Sequence, residues 1–97
     1  FMSILHTINK TPSSKLLESC LEVASDEDSL LFLEDGIYYA RTEFKSIGCA
    51  SKLTCYALKE DLLARGVKLE ASAEIEIVDY NGFVKLCEKS DKVINWF

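Results

Sequence analysis

Ser29-Leu30-Leu31-Phe32-Leu33-Glu34-Asp35-Gly36-Ile37-Tyr38-Tyr39-Ala40 decides how the rest of the chain is read. It holds four consecutive apolar residues, Leu30 to Leu33. A run that short, apolar on both sides and closed by Asp-Gly, has the pattern of a strand buried on both faces. Such strands belong to parallel sheets covered by helices. Asp35-Gly36 then interrupts the strand, and Ile37 to Ala40 has the composition of a first helical turn. The acidic turn falls at the C-terminal end of the strand, where open α/β sheets usually carry their chemistry.

Working outward, Ile4 to Ile8 is a short strand, followed by a loop containing Pro12, which suits a helix start. Ser13 or Ser14 can cap the helix that follows, which extends to about Ala24. Leu16, Leu17, Cys20, Leu21, Val23 and Ala24 form its apolar stripe, with Glu18, Ser19 and Glu22 facing away. Ser25 to Asp28 is a polar connector into the central strand. Beyond Tyr39, the stretch from Arg41 to Ser51 is the least patterned and contains Phe44, Gly48 and Cys49.

Lys52 to Leu58 is the next strand and Lys59 to Arg65 a short helix, with Glu60 and Asp61 in its first turn and Arg65 in its last. Gly66 is the expected stop. Val67 to Ala73 is a loop, and Glu74 to Val78 alternates as an edge strand does. Asp79 caps a helix from Tyr80 to about Ser90, with Tyr80, Phe83, Val84 and Cys87 as its inner stripe. The tail from Lys92 to Phe97 has the pattern of a last strand. This alternation predicts a single three-layer α/β/α domain over residues 1–97, with a mainly parallel sheet of flavodoxin-like type. Phe1 ahead of Met2 reads as an appended residue, with Met2 the expected native start.

Sixteen acidic against eleven basic residues give a net charge of −5. That balance lacks the basic footprint that direct nucleic-acid binding requires. No apolar run approaches the roughly 20 residues of a membrane span, and the N-terminus lacks the layout of a signal peptide. A cytoplasmic location is the expectation. The four cysteines, Cys20, Cys49, Cys55 and Cys87, form no C-x-x-C pair, and with the single His6 they make a poor zinc set. No metal or cofactor is expected. A Gly-rich phosphate loop is absent, and His6 has no evident nucleophile partner, which disfavours a small-molecule binder or triad hydrolase.

Several residues have both a chemical and a structural reading. His6, near the C-terminal end of the first strand, is either a polar anchor beside Asp35 or a histidine satisfied by a loop carbonyl. Asp35-Gly36 either binds a partner or makes a turn. Arg65-Gly66 terminates a helix, Cys55 and Cys87 lie on buried patterns, and Cys49 lies in a loop with no assigned role. Tyr38, Tyr39, Phe44, Trp96 and Phe97 are either local core or a subunit interface.

Taken in order, Ile4-Leu5-His6-Thr7, Leu33-Glu34-Asp35-Gly36-Ile37, Tyr56-Ala57-Leu58 with Asp61 and Ala64-Arg65-Gly66, Val78-Asp79-Tyr80 with Phe83-Val84, and the trailing Trp96 resemble the DsrH/TusB family of the DsrE-like superfamily. The resemblance implies a DsrE-like fold and a small subunit of a hexameric cytoplasmic sulfur-relay complex. The implied partners are DsrE/DsrF-like (TusD/TusC-like) sister subunits and a small DsrC/TusE-like sulfur acceptor. One branch of the family serves tRNA wobble-uridine thiolation and the other dissimilatory sulfur oxidation. Leu17-Glu18-Ser19-Cys20-Leu21 is similar to the context of a cysteine in the DsrH branch, which points to sulfur oxidation. The same resemblance implies Cys20 as a sulfur carrier. Periodicity alone makes Cys20 a core residue, and a non-catalytic, structural role for the subunit stays open beside the relay role. Persulfide relay demands a thiolate with access to its partner.

Overall fold

The computed structural model describes residues 3–40, 53–69 and 75–97. Its strands are β1 (Ile4–Ile8), β2 (Ser29–Phe32), β3 (Thr54–Leu58), β4 (Ile75–Val78) and β5 (Lys92–Trp96). They form one sheet in the order β4-β3-β2-β1-β5, with every pairing parallel. The helices are α1 (Leu16–Val23), α2 (Lys59–Arg65) and α3 (Tyr80–Lys89), with 3-10 turns at Pro12–Ser14 and Glu34–Ala40.

β2 is the middle strand, and Leu30, Leu31 and Phe32 are at most 1% exposed, as a strand apolar on both faces requires. Full burial of each such side chain contributes about 1.5–3 kcal/mol before chain entropy is counted. Strand parity divides the core. Ile8, Leu30, Phe32, Cys55 and Ala57 face Leu17 and Cys20 of α1, Leu62 of α2, and Ile37 and Tyr39. Leu5 and Leu31 face Phe83, Leu86 and Cys87 of α3. The topology explains this split. From β1 to β4 each strand is added on the same side of its predecessor. The last connection returns across the sheet to place β5 beside β1. Right-handed crossovers in opposite directions put their helices on opposite faces. The three-layer α/β/α architecture with a parallel sheet therefore holds.

Local details refine several expectations. The cap position of α1 falls to Lys15 and not to a serine: Pro12–Ser14 is a separate 3-10 turn, and α1 begins at Leu16 after Lys15 in left-handed backbone at φ 60°, with the Ser14 hydroxyl accepting from the Leu16 N–H at 3.4 Å. Pro12 fits the start of that turn, where no N–H is needed. The helix expected from Ile37 is a 3-10 helix that begins at Glu34. Val23 is exposed and leaves the α1 stripe. Tyr80 and Val84 are likewise exposed, and the inner side of α3 is Phe83, Leu86 and Cys87. That set has helical i, i+3, i+4 spacing too, so periodicity alone did not choose between two adjacent stripes. Tyr39 is core and stacks on Phe32 with ring centroids 5.2 Å apart. Asp79 caps α3 by accepting from the Gly82 N–H at 2.9 Å, and Gly66 ends α2 in left-handed backbone. Cys49, Phe44 and Gly48 lie outside the described residues.

Candidate functional site

Cys20, the expected sulfur carrier, lies in the second half of α1. The helix lays Leu17 and Cys20 against the sheet, one turn apart, while Glu18, Ser19 and Glu22 point outward. Cys20 is 0% exposed, in the same buried cluster as Leu17, Leu30, Phe32 and Tyr39. Leu16, Leu21 and Ala24 pack at the margin of that cluster. In the isolated fold no attacking thiol reaches its sulfur. Val23, expected beside it, lies on the outer side of the helix at 64% exposure. Cys55 is also buried. Cys87 is half-buried, and burial first, then the nearby Glu88, pushes its thiol pKa up, which keeps it protonated and weakly nucleophilic.

His6 is not at the end of β1 beside Asp35. It sits at the middle of the strand, 1% exposed, on the face covered by α1 and α2. Its Nε2 lies 2.8 Å from Asp28 Oδ2, and its Nδ1 accepts from the Trp96 indole N–H at 3.1 Å. Indole is only a donor, so Nδ1 carries no proton and Nε2–H donates to Asp28. Asp28 also accepts from the Ile4 N–H at 3.1 Å, the Ser25 N–H at 3.1 Å and the Ser25 hydroxyl at 3.2 Å. Desolvation pushes the Asp28 carboxyl pKa up, but the hydrogen bonds from His6, Ser25 and Ile4 together outweigh it. The carboxyl is held below its ordinary 3.8. Asp28 reads as part of an ordinary polar connector. The signal that singles it out from Glu27 is its parity with Leu30 and Phe32, which turns its side chain toward the covered face; Asp26 shares that parity but lies in the turn, exposed.

The acidic turn after β2 makes a different cluster. Arg65 Nε donates to Asp35 Oδ1 at 3.0 Å, and Arg65 Nη1 lies 3.7 Å from Asp61 Oδ1. The hydrogen bond to Asp35 raises the Arg65 pKa further and keeps it charged. Asp61 also accepts from the Glu34 N–H, which steadies Glu34 in left-handed backbone at φ 49°. Gly36 is dictated by space: a Cβ there would stand 1.9 Å from the Ile8 carbonyl oxygen. Among the described residues no group of three or more His, Cys, Asp or Glu side chains is placed to hold a metal ion. No helix among them is long and apolar enough to cross a membrane.

The comparisons with known proteins bear on what this arrangement serves. The family model described as DsrH-like protein matches residues 10–93. The chain belongs to the DsrH-like family. The chain is 35% identical to Protein TusB of Sodalis glossinidius over 96 residues, covering 96% of this chain and all of that protein. Protein TusB of Enterobacter sp. strain 638 and of Escherichia coli K12 are each 34% identical over 96% of this chain and all of their own length. In fold, this DsrH-like chain is similar to the crystal structure of the ychN protein from Escherichia coli. The TM-score is 0.75, with 17% identity, over 99% of this chain and 100% of that one.

Proposed function

We propose that this chain is the small subunit of a cytoplasmic sulfur-relay complex that passes persulfide sulfur toward thiolation of the tRNA wobble uridine. The observation that carries this reading is the match to the TusB proteins across their whole length. It favours the tRNA branch over dissimilatory sulfur oxidation, to which the Leu17-Glu18-Ser19-Cys20-Leu21 context alone had pointed. In this reading the chain works in a heterohexamer with DsrE/DsrF-like (TusD/TusC-like) sister subunits. A small DsrC/TusE-like protein accepts the sulfur. The net charge of −5 agrees with the tRNA being held elsewhere in the pathway.

Cys20 is the candidate carrier in this chain. Its thiolate would attack the outer sulfur of a partner persulfide. A new S–S bond forms at Cys20 and the old one breaks, releasing the partner thiolate, with one sulfane sulfur moved and no external oxidant consumed. With the sulfur 0% exposed, that step requires α1 to move when a partner docks.

The same burial favours a second reading, in which the chain is a non-catalytic subunit that builds the complex while a sister subunit holds the essential cysteine. Mass spectrometry of wild type and Cys20→Ser, after incubation with a persulfide donor and the sister subunits, separates the two. A gain of one sulfur on the wild-type chain that is absent from the variant is expected if Cys20 carries sulfur. An unchanged gain in the variant, or none in either, leaves Cys20 a core residue. Cys20→Ser should still fold, because it changes little volume, at a cost of about 1 kcal/mol or somewhat more for the buried hydroxyl.

A further inference from the structure

The Asp28–His6–Trp96 chain of hydrogen bonds is used by no step above, yet it joins three distant parts of the chain. Asp28 stands just before the central strand, His6 is on β1, and Trp96 ends the edge strand β5. β5 pairs with β1 alone. Its outer side has no strand neighbour among the described residues. Trp96 is only partly buried, packed against the margin of the core, so its indole is pinned by packing and by the bond to His6.

We propose that His6 is a proton-operated latch that holds the C-terminal end of β5 through Trp96 and releases it on acidification. The bonding pattern requires His6 to be neutral, with its proton on Nε2 facing Asp28. An added proton goes to Nδ1, the ring nitrogen that carries none and whose lone pair the indole N–H occupies. Nδ1 then becomes a donor facing the indole N–H, which is also a donor and cannot accept. The Trp96 bond is lost, while the contact with Asp28 becomes a full ion pair and strengthens. The proton thus shifts His6 from two partners to one, and the partner dropped is the one on the edge strand.

The groups around His6 support this asymmetry. β2 presents Leu30 beside it and β5 presents Ile94, neither of them able to replace the lost acceptor. The turn before β2 presents Asp28 and Ser25, already bonded to each other. On β5, Lys92 shares this face but lies opposite Ile4 and is exposed, and Asp91 is engaged by the Ser3 N–H at 2.8 Å. On α1, Glu18 and Glu22 are exposed, as is Lys15 just before it, and Cys20 is the titratable side chain that the helix turns toward this face of the sheet.

The chain contains one histidine and one tryptophan, so both ends of the latch report without interference. The experiment is NMR on the full chain between about pH 8 and about pH 5, the range in which histidines change charge. Ring nitrogen shifts give the His6 tautomer, amide exchange gives protection of β5, and Trp fluorescence follows the indole. The expected result is an Nε2–H tautomer at the upper end. As His6 gains its proton, protection of Ile94 to Trp96 should fall about fivefold or more relative to β2. Trp96→Phe keeps an aromatic ring at the core margin and removes the donor. It should lower β5 protection throughout and abolish its dependence on the charge of His6. An Nδ1–H tautomer overturns the proposal. So does β5 protection that ignores the charge of His6, or the same dependence persisting in Trp96→Phe.

Discussion

Two aspartates bracket the central strand, and they do opposite things. Asp28, just before β2, is 3% exposed and fully engaged by His6, Ser25 and Ile4. Asp35, just after it, is exposed and shares an exposed ion pair with Arg65. Read as sequence, Asp35 is the more interesting residue, because Asp-Gly at the C-terminal end of a buried strand is where α/β sheets place chemistry. The structure reverses that ranking for electrostatics. The buried end is held by charge and hydrogen bonds, while the exposed end is held by backbone contact, with charges arranged over it. The difference follows from solvent: the same pair is strong where water is excluded and weak where it is not.

The largest effect is expected from Gly36→Ala, which tests whether backbone contact governs the exposed end. The added Cβ would lie 1.9 Å from the Ile8 oxygen and 2.7 Å from the Ile8 carbonyl carbon. Neither is a flexible side-chain tip. The Ile8 oxygen also accepts from the Leu33 N–H at 3.1 Å, so moving it to make room costs that bond too. A loss of about 3 kcal/mol or more is expected in urea unfolding. A loss below about 1 kcal/mol would mean the turn is held by its charges after all.

Asp28→Ala comes next and tests the buried end. It strands the His6 Nε2–H in a buried position and takes the acceptor from the part-buried Ile4 and Ser25 N–H groups, for an expected loss of about 2–3 kcal/mol. The wild-type contribution also depends on pH. The folded carboxyl titrates below its ordinary 3.8, so the folded state binds this proton less readily than the unfolded chain. Stability from Asp28 is therefore complete above the unfolded value and is lost as the pH falls through the lower, folded one. Asp28→Asn should flatten the acid limb of a stability–pH curve below about pH 4. An unchanged limb would show that the carboxylate charge adds nothing to the buried network.

These cases show what was legible beforehand. The strand order along the chain, the central place of Leu30 to Leu33, the limits of α2 and the Asp79 cap all follow from local rules. Each is set by residues within a turn or a strand of one another. Asp28 depends instead on β1 lying beside β2, and Trp96 on the last crossover returning β5 to β1. Those are contacts across 22 and 90 positions, and no window of sequence contains both partners. Cys20 was legible in half. Its stripe correctly reads as core, but its exposure of 0% depends on Leu30, Phe32 and Tyr39 arriving from elsewhere. The expected α3 stripe holds at Phe83 and Cys87 and fails at Tyr80 and Val84 for the same reason: the helix offers two adjacent stripes, and the sheet selects one.

Arg65→Ala should have the smallest effect, and it sharpens the contrast most directly because it removes the charged partner from the exposed end without touching the backbone. The Arg65 and Asp35 side chains are 28% and 51% exposed, and the second contact, to Asp61, is long at 3.7 Å. Water competes for both ends of such a pair, and ordering the long arginine side chain costs entropy, so the net worth of the pair is at most about 1 kcal/mol. Removing Arg65 leaves no buried charge behind, since Asp35 faces solvent and Asp61 keeps the Glu34 N–H as its donor. A loss of about 0.5 kcal/mol at low salt is expected, shrinking further in about 1 M salt, where charges more than about 3 Å apart are screened. The corresponding loss in Asp28→Ala should hardly respond to salt, because mobile ions do not enter the core. If Arg65→Ala instead cost 2 kcal/mol or more and ignored salt, the exposed end would be electrostatically braced as the buried end is, and the two aspartates would no longer differ in kind.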